Sequence, residues 1–124
     1  MRKRQFTILS LLIFITVSCK QDTKQLPLEN LNGYWNVYSA ERNGKKTTLL
    51  NGAFFDLKSD NTIVTNVNGD TIASKYTLVD NSFTVEGMDS EFRIVKLNAD
   101  SMTLFSRISK FKYNFYTTKS DNNK

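Results

Sequence analysis

The sequence predicts an all-β domain, a small eight-stranded up-and-down antiparallel barrel, and three observations carry that prediction. Turn-forming clusters recur at nearly even spacing: Asn43-Gly44, Ser59-Asp60-Asn61, Asn68-Gly69-Asp70, Asp80-Asn81-Ser82, residues 87–90, Asn98-Ala99-Asp100 and Ser109-Lys110. Asn-Gly and Asp/Asn/Ser clusters supply the left-handed or self-capped backbone that tight hairpins need. The intervals between them are rich in Phe, Tyr, Val, Ile and Thr and alternate apolar with polar residues. None sustains a 3.6-residue period, so the intervals read as short strands of a sandwich or barrel. Eight hairpin-linked strands left as an open sheet would have two bare edges, and closure removes both.

Each strand offers one apolar face. Trp35 and Val37 share a face of the first strand, Ala53, Phe55 and Leu57 of the second, and Ile63 and Val67 of the third. Ile72, Tyr76 and Leu78 follow, then Phe83 and Val85. In the sixth strand Phe92 and Ile94 share one parity while Val95 and Leu97 take the other, which predicts a bulge or sharp bend there. Met102, Leu104 and Ile108 line the seventh strand, and Phe111, Tyr113 and Phe115 the eighth. The segment 46–50, between the first two strands, reads as either a short lid or a ninth small strand. Tyr34, Tyr38, Phe54, Phe105 and Tyr116 fall on the presumed outer face.

Composition narrows the function classes. At 124 residues the chain has room for one domain. It has no histidine, which removes Ser-His-Asp and Cys-His nucleophile systems and histidine-bearing zinc sites. One cysteine allows neither an internal disulfide nor a cysteine-cluster metal site. No phosphate loop, Gly-x-Ser-x-Gly or ordered calcium loop is present, so neither a catalytic set, a metal nor a cofactor is expected. Asp89 with Glu91, and Asp80 with Glu86, are acid pairs at turns, where carboxylates are ordinarily solvated.

The N-terminus carries an export signal. Met1-Arg2-Lys3-Arg4 is a positive n-region, and residues 6–17 form a mostly apolar stretch. As a helix that stretch reaches about 18 Å, too short for a hydrocarbon core of about 30 Å, so it reads as a signal peptide over residues 1–18. Its end, Thr16-Val17-Ser18-Cys19, resembles the bacterial lipobox, with Thr16 standing where that pattern favours leucine. The resemblance implies that the Cys19 thiol takes a diacylglyceryl group and that cleavage exposes its amine to a further acyl chain such as palmitate. At ~0.8 kcal/mol per buried methylene, several chains hold the protein in the membrane. The implied location is the cell envelope, lipid-anchored in the outer membrane. Residues 19–30 read as a polar tether, 31–118 as the barrel and 119–124 as a polar tail. Without Arg2, Lys3 and Arg4 the balance is 14 cations to 12 acids, or +2. The remaining cations are spread singly apart from Lys45-Lys46. No clustered basic face is legible, and nucleic-acid binding is not expected.

The opening Leu31-Asn32-Gly33-Tyr34-Trp35 resembles the Gly-x-Trp start of lipocalins, and the whole order is similar to the small lipocalin-like domains of Bacteroidetes lipoproteins. Stretches 54–62, 76–81 and 92–97 fit that group's later strands, and the likeness covers about residues 31–118. It implies that Gly33 lets the chain turn into the barrel floor and that Trp35 plugs it, both in structural roles. In lipocalins an arginine from the last strand covers this tryptophan; here the nearest cation is Lys119, which would make a weaker contact. The resemblance also implies a small apolar ligand, held by the inward residues near the open rim: Phe55, Tyr76, Phe83, Met102 and Tyr113. An eight-strand interior is only just wide enough for side chains or one small ligand, so a filled barrel is the competing expectation. In that case the protein is an interaction module whose outer face meets an envelope protein partner, and a contiguous patch of the outer aromatics would be its mark. Asp70-Thr71-Ile72 and Asp100-Ser101-Met102 resemble the short O-glycosylation sequence of exported Bacteroidetes proteins.

Overall fold

A computed structural model describes residues 26–120. The signal peptide, Cys19 and the start of the tether lie outside the described residues, as do residues 121–124. A 3₁₀ turn, Leu28–Asn30, leads into β1 (Gly33–Arg42), β2 (Lys45–Thr47), β3 (Phe54–Leu57), β4 (Thr62–Thr65) and β5 (Ile72–Val79). Then come β6 (Ser82–Val85), β7 (Glu91–Leu97), β8 (Ser101–Ile108) and β9 (Phe111–Ser120). The strand order is β2-β1-β3-β4-β5-β6-β7-β8-β9, with β1 also paired to β9. Eight strands therefore close into an antiparallel up-and-down barrel, and β2 is one extra strand on its side. Segment 46–50 contributes to that ninth strand before the chain turns.

Strand β1 organises the closure. It pairs β9 along nearly its whole length, β3 through Gly33–Asn36, and β2 through Ala40–Arg42. A register shift between Val37 and Ser39 inserts one residue and switches the pleat. Trp35, Val37 and Ala40 are thus all buried, while Tyr38 is left 65% exposed. The bulge expected in β7 is present between Ile94 and Lys96, turning Val95 outward and Leu97 inward. Asn43 and Gly44 both have positive φ, 52° and 80°, as a two-residue hairpin turn of the mirror-image type requires.

Four phenylalanines occupy the middle of the barrel. Phe55, Phe83, Phe92 and Phe115 are all fully buried. Phe55 meets Phe83, Phe92 and Phe115 edge-on at centroid distances of 6.4, 5.4 and 5.6 Å, and Phe83 stacks on Phe92 at 5.2 Å. These are the favourable offset and T-shaped geometries. Three buried polar residues escaped the alternation reading, and each donates its hydroxyl to a carbonyl. Thr65 bonds Phe54 at 2.7 Å, Ser106 bonds Glu91 at 2.8 Å and Thr117 bonds Met102 at 2.8 Å.

Some expected boundaries and burials shift. Strand β9 runs to Ser120, so Lys119 belongs to the barrel and not to a tail. At the other end, residues 26–30 are folded onto the barrel. Leu26 and Leu28 pack against the core and Leu31 is 2% exposed, because a hairpin barrel leaves its bottom open and these leucines cover it. Leu78 and Phe111, both expected inside, are exposed. Each sits beside a hairpin turn, past the level at which opposing strands can cover it. Ile72 and Ile108 are half-buried at strand ends for the same reason.

Candidate functional site

The two ends of the barrel differ. The floor holds Leu26 to Asn32 and the turns near residues 60, 80 and 99. The rim holds the turns near residues 43, 69, 88 and 109. Trp35 is fully buried in the floor and donates its indole N–H to Leu31 O at 2.8 Å. Gly33, with φ +149°, is the first residue of β1, two positions before Trp35.

The five expected ligand contacts do not surround a common opening. Phe55, Phe83 and Met102 are at most 1% exposed, Tyr76 is 8% exposed, and Tyr113 is half-buried. Tyr76 belongs to the floor end, its hydroxyl 3.5 Å from Asn32 Oδ1 and from Lys58 O. Burial, and then the Asp60 charge, raise its pKa above the ordinary tyrosine value. Tyr113 lies at the rim, opposite Arg42 in the ladder. Between them runs continuous aromatic contact: Tyr76 against Phe83 at 6.0 Å, the central phenylalanines, then Phe115 stacked with Tyr113 at 6.0 Å. The same rings that were expected to line a ligand pack against one another.

The outer aromatics, by contrast, gather on one wall. Tyr34 stacks on Phe54 across β1 and β3, at 5.0 Å and 12° between planes. Tyr116 of β9 stands opposite Ser39, beside the Tyr38 bulge, and donates its hydroxyl to Glu41. That bond, with lesser help from burial and the Glu41 charge, raises the Tyr116 pKa. Phe105 of β8 lies diagonally from Tyr116 through the Thr103 pairing, and the Arg93 guanidinium covers its ring at 5.0 Å. Five aromatics thus share the outside of four adjacent strands, β3-β1-β9-β8.

Charge follows the same division. Residues 56–91, from the end of β3 to the start of β7, carry seven acids and only Lys58 and Lys75, a net of −5. Residues 33–55 and 92–120 carry nine cations and only Glu41 and Asp100, a net of +7. Those two stretches are far apart in sequence, and the β1–β9 seam makes them one wall. Across that seam Asn43 N donates to Lys112 O at 2.7 Å and Lys112 N to Asn43 Oδ1 at 2.9 Å. This locks the β1–β2 and β8–β9 turns together, with Arg42, Lys45, Lys46, Lys110 and Lys112 on them. A rim groove is lined by Arg42, Asn43, Lys45, Lys46, Thr47 and Phe111, with Arg42 4.9 Å over the Phe111 ring. The clustered basic face that linear spacing concealed is therefore present. Its one legible signal was the near-absence of cations between residues 56 and 91.

Of the acid pairs, Asp89 and Glu91 share an outer groove with Arg93, Phe105 and Arg107, while Asp80 and Glu86 flank opposite ends of β6. Thr71 is exposed before β5, and the Ser101 hydroxyl bonds Asn98 Oδ1 at 3.0 Å. Comparison with protein-family models, curated proteins and solved structures returns no match.

Proposed function

We propose that this chain is a lipid-anchored module of the bacterial cell envelope, a filled lipocalin-like barrel that acts through its outer surface and carries no ligand inside. The observation that carries this reading is the interlocked set Phe55, Phe83, Phe92 and Phe115, each fully buried. Seating a ligand of about ten heavy atoms would displace at least one of these rings. Truncating a buried phenylalanine typically costs about 3–5 kcal/mol. A ligand of that size gains about 5–7 kcal/mol at the efficiencies small ligands reach, so little net affinity would remain. The outer aromatics of one wall, Tyr34 stacked on Phe54 and, further along β1, Tyr38 beside Tyr116 and Phe105, support an interaction module.

The test has two arms. Fatty acids, sterol-like compounds and haem are screened against the chain from residue 19 onward by Trp35 fluorescence and ligand-detected NMR. Absence of binding is expected, and a saturable complex with displaced core aromatic signals overturns the filled-barrel reading. Labelling cells with a palmitate analogue should mark the wild-type chain and not Cys19→Ala; equal labelling of both overturns the anchor.

A further inference from the structure

We infer that the basic, aromatic wall built on β2-β1-β9-β8 docks onto an anionic lipid surface, so that the barrel lies on its side against the membrane that anchors it. This rests on the anchor reading above and names the partner of the outer wall.

Three observations converge on a lipid surface. The first is charge: the wall belongs to the +7 part of the barrel. Of the acidic stretch, Asp60, Asp70, Asp80 and Glu86 lie on the turns around β4, β5 and β6, away from it, while Asp56, Asp89 and Glu91 border it beside Tyr34 and Phe105. Near an anionic bilayer that asymmetry orients the molecule, since each cation close to the surface adds about fivefold to binding. Glu41, the acid within the two locked hairpins, is already held by the Tyr116 hydroxyl.

The second is the chemistry of the wall. Tyr34, Tyr38 and Tyr116 combine an apolar ring with a polar tip, the combination favoured at the boundary between headgroups and acyl chains. Tyr38 is pushed out by the β1 bulge to 65% exposure, and exposed Leu49 and half-covered Phe111 flank the rim cations. A purely polar anionic chain would leave these rings without a use.

The third is the length of chain outside the structure. Only residues 20–25 separate Cys19 from Leu26, a reach of about 25 Å when fully extended. Lys119 Nζ donates to Asn30 O at 2.9 Å, which fixes the entering segment beneath the β1–β9 seam. The described chain therefore begins at the floor, where Leu26 packs against the core. Ten-residue strands tilted as in a small barrel stand about 25 Å high, so a tether of this reach favours the wall lying down over the rim pointing at the bilayer.

Residues 26–120 contain the whole barrel and its core, so the chain from residue 19 with Cys19→Ser provides a folded protein without the acyl anchor. Its sedimentation is measured with vesicles of phosphatidylcholine alone and with one-third phosphatidylglycerol added. Binding is expected only to the mixed vesicles, weakening as salt rises. Lys46→Glu with Lys112→Glu, both exposed on the wall, should weaken it by at least about 25-fold. Tyr38→Ser should weaken it at every salt concentration, and Lys75→Glu, on the acidic side, should leave it unchanged. Circular dichroism and melting checks that each variant is folded. No binding to the mixed vesicles, or equal losses from Lys75→Glu and the Lys46/Lys112 pair, overturns the lipid partner. The palmitate-analogue labelling is read separately, so loss of the anchor and loss of the lipid-facing wall are distinguishable results.

Discussion

The ammonium of Lys119 lies 4.9 Å from the centre of the Trp35 ring while donating to Asn30 O. One cation therefore closes the last strand over the floor tryptophan and pins the entering segment. Gly33 makes room for it. A Cβ at that position would lie 2.7 Å from Lys119 Cε, and the backbone there has φ +149°, which side chains other than glycine's rarely adopt.

This arrangement predicts a graded series. Trp35→Ala should lower stability by about 3–5 kcal/mol in urea denaturation, as a fully buried aromatic truncation. Lys119→Met should lower it by about 1–2 kcal/mol through loss of the ring contact and the Asn30 bond, and Lys119→Arg should retain most of it. Gly33→Ala should be destabilising by about 1–3 kcal/mol. Adding Lys119→Ala to it should return only part, because the clash goes and the backbone strain stays. Full additivity in that double-mutant cycle would show that the two residues do not meet.

The packed interior predicts what a hole would do. Phe55 touches three other buried rings, so Phe55→Ala should cost about 3–5 kcal/mol. If the barrel tolerates the loss, the variant should bind benzene-sized apolar molecules that the wild type refuses, since apolar cavities stay dry and accept such guests. Melting curves with and without toluene would measure both effects.

The Tyr116–Glu41 bond predicts an alkaline loss of stability. The folded-state pKa of Tyr116 is raised, first by that bond. A raised pKa means the contribution is complete below the ordinary tyrosine value of about 10 and disappears as pH climbs through the folded value. Denaturation midpoints at rising pH should fall more steeply for the wild type than for Tyr116→Phe, and tyrosinate absorbance should show one fewer late-titrating group in the variant. Parallel pH profiles would remove the bond from the account.

Envelope anchoring predicts a fractionation result. Wild-type chain should pellet with membranes and resist high salt, because acyl chains and not charge hold it. Cys19→Ala should be released to the soluble fraction by salt or stay unprocessed. A cleaved Cys19→Ala chain retained like the wild type, and not released by salt, would contradict the lipid anchor.

Local pattern determined much of this protein. Turn chemistry placed the hairpins, and strict alternation chose Trp35, Phe55, Phe83, Phe92 and Phe115 for the interior. The parity switch after Ile94 announced the β7 bulge, because apolar residues stood on both sides of it. The β1 bulge had no such mark: beyond it only Ala40 turns inward, too small to betray a change of face. Thr65, Ser106 and Thr117 were illegible for a related reason, since a hydroxyl is welcome inside only where a neighbouring strand offers a carbonyl. Tertiary structure alone decided that Leu26 and Leu28 belong to the floor, that Tyr76 and Tyr113 stand at opposite ends, and that Lys46 and Lys112 share a wall. Alternation acts between residues two apart, whereas barrel closure joins β1 to β9 across most of the chain, and only that long-range pairing brings scattered cations and aromatics onto one face.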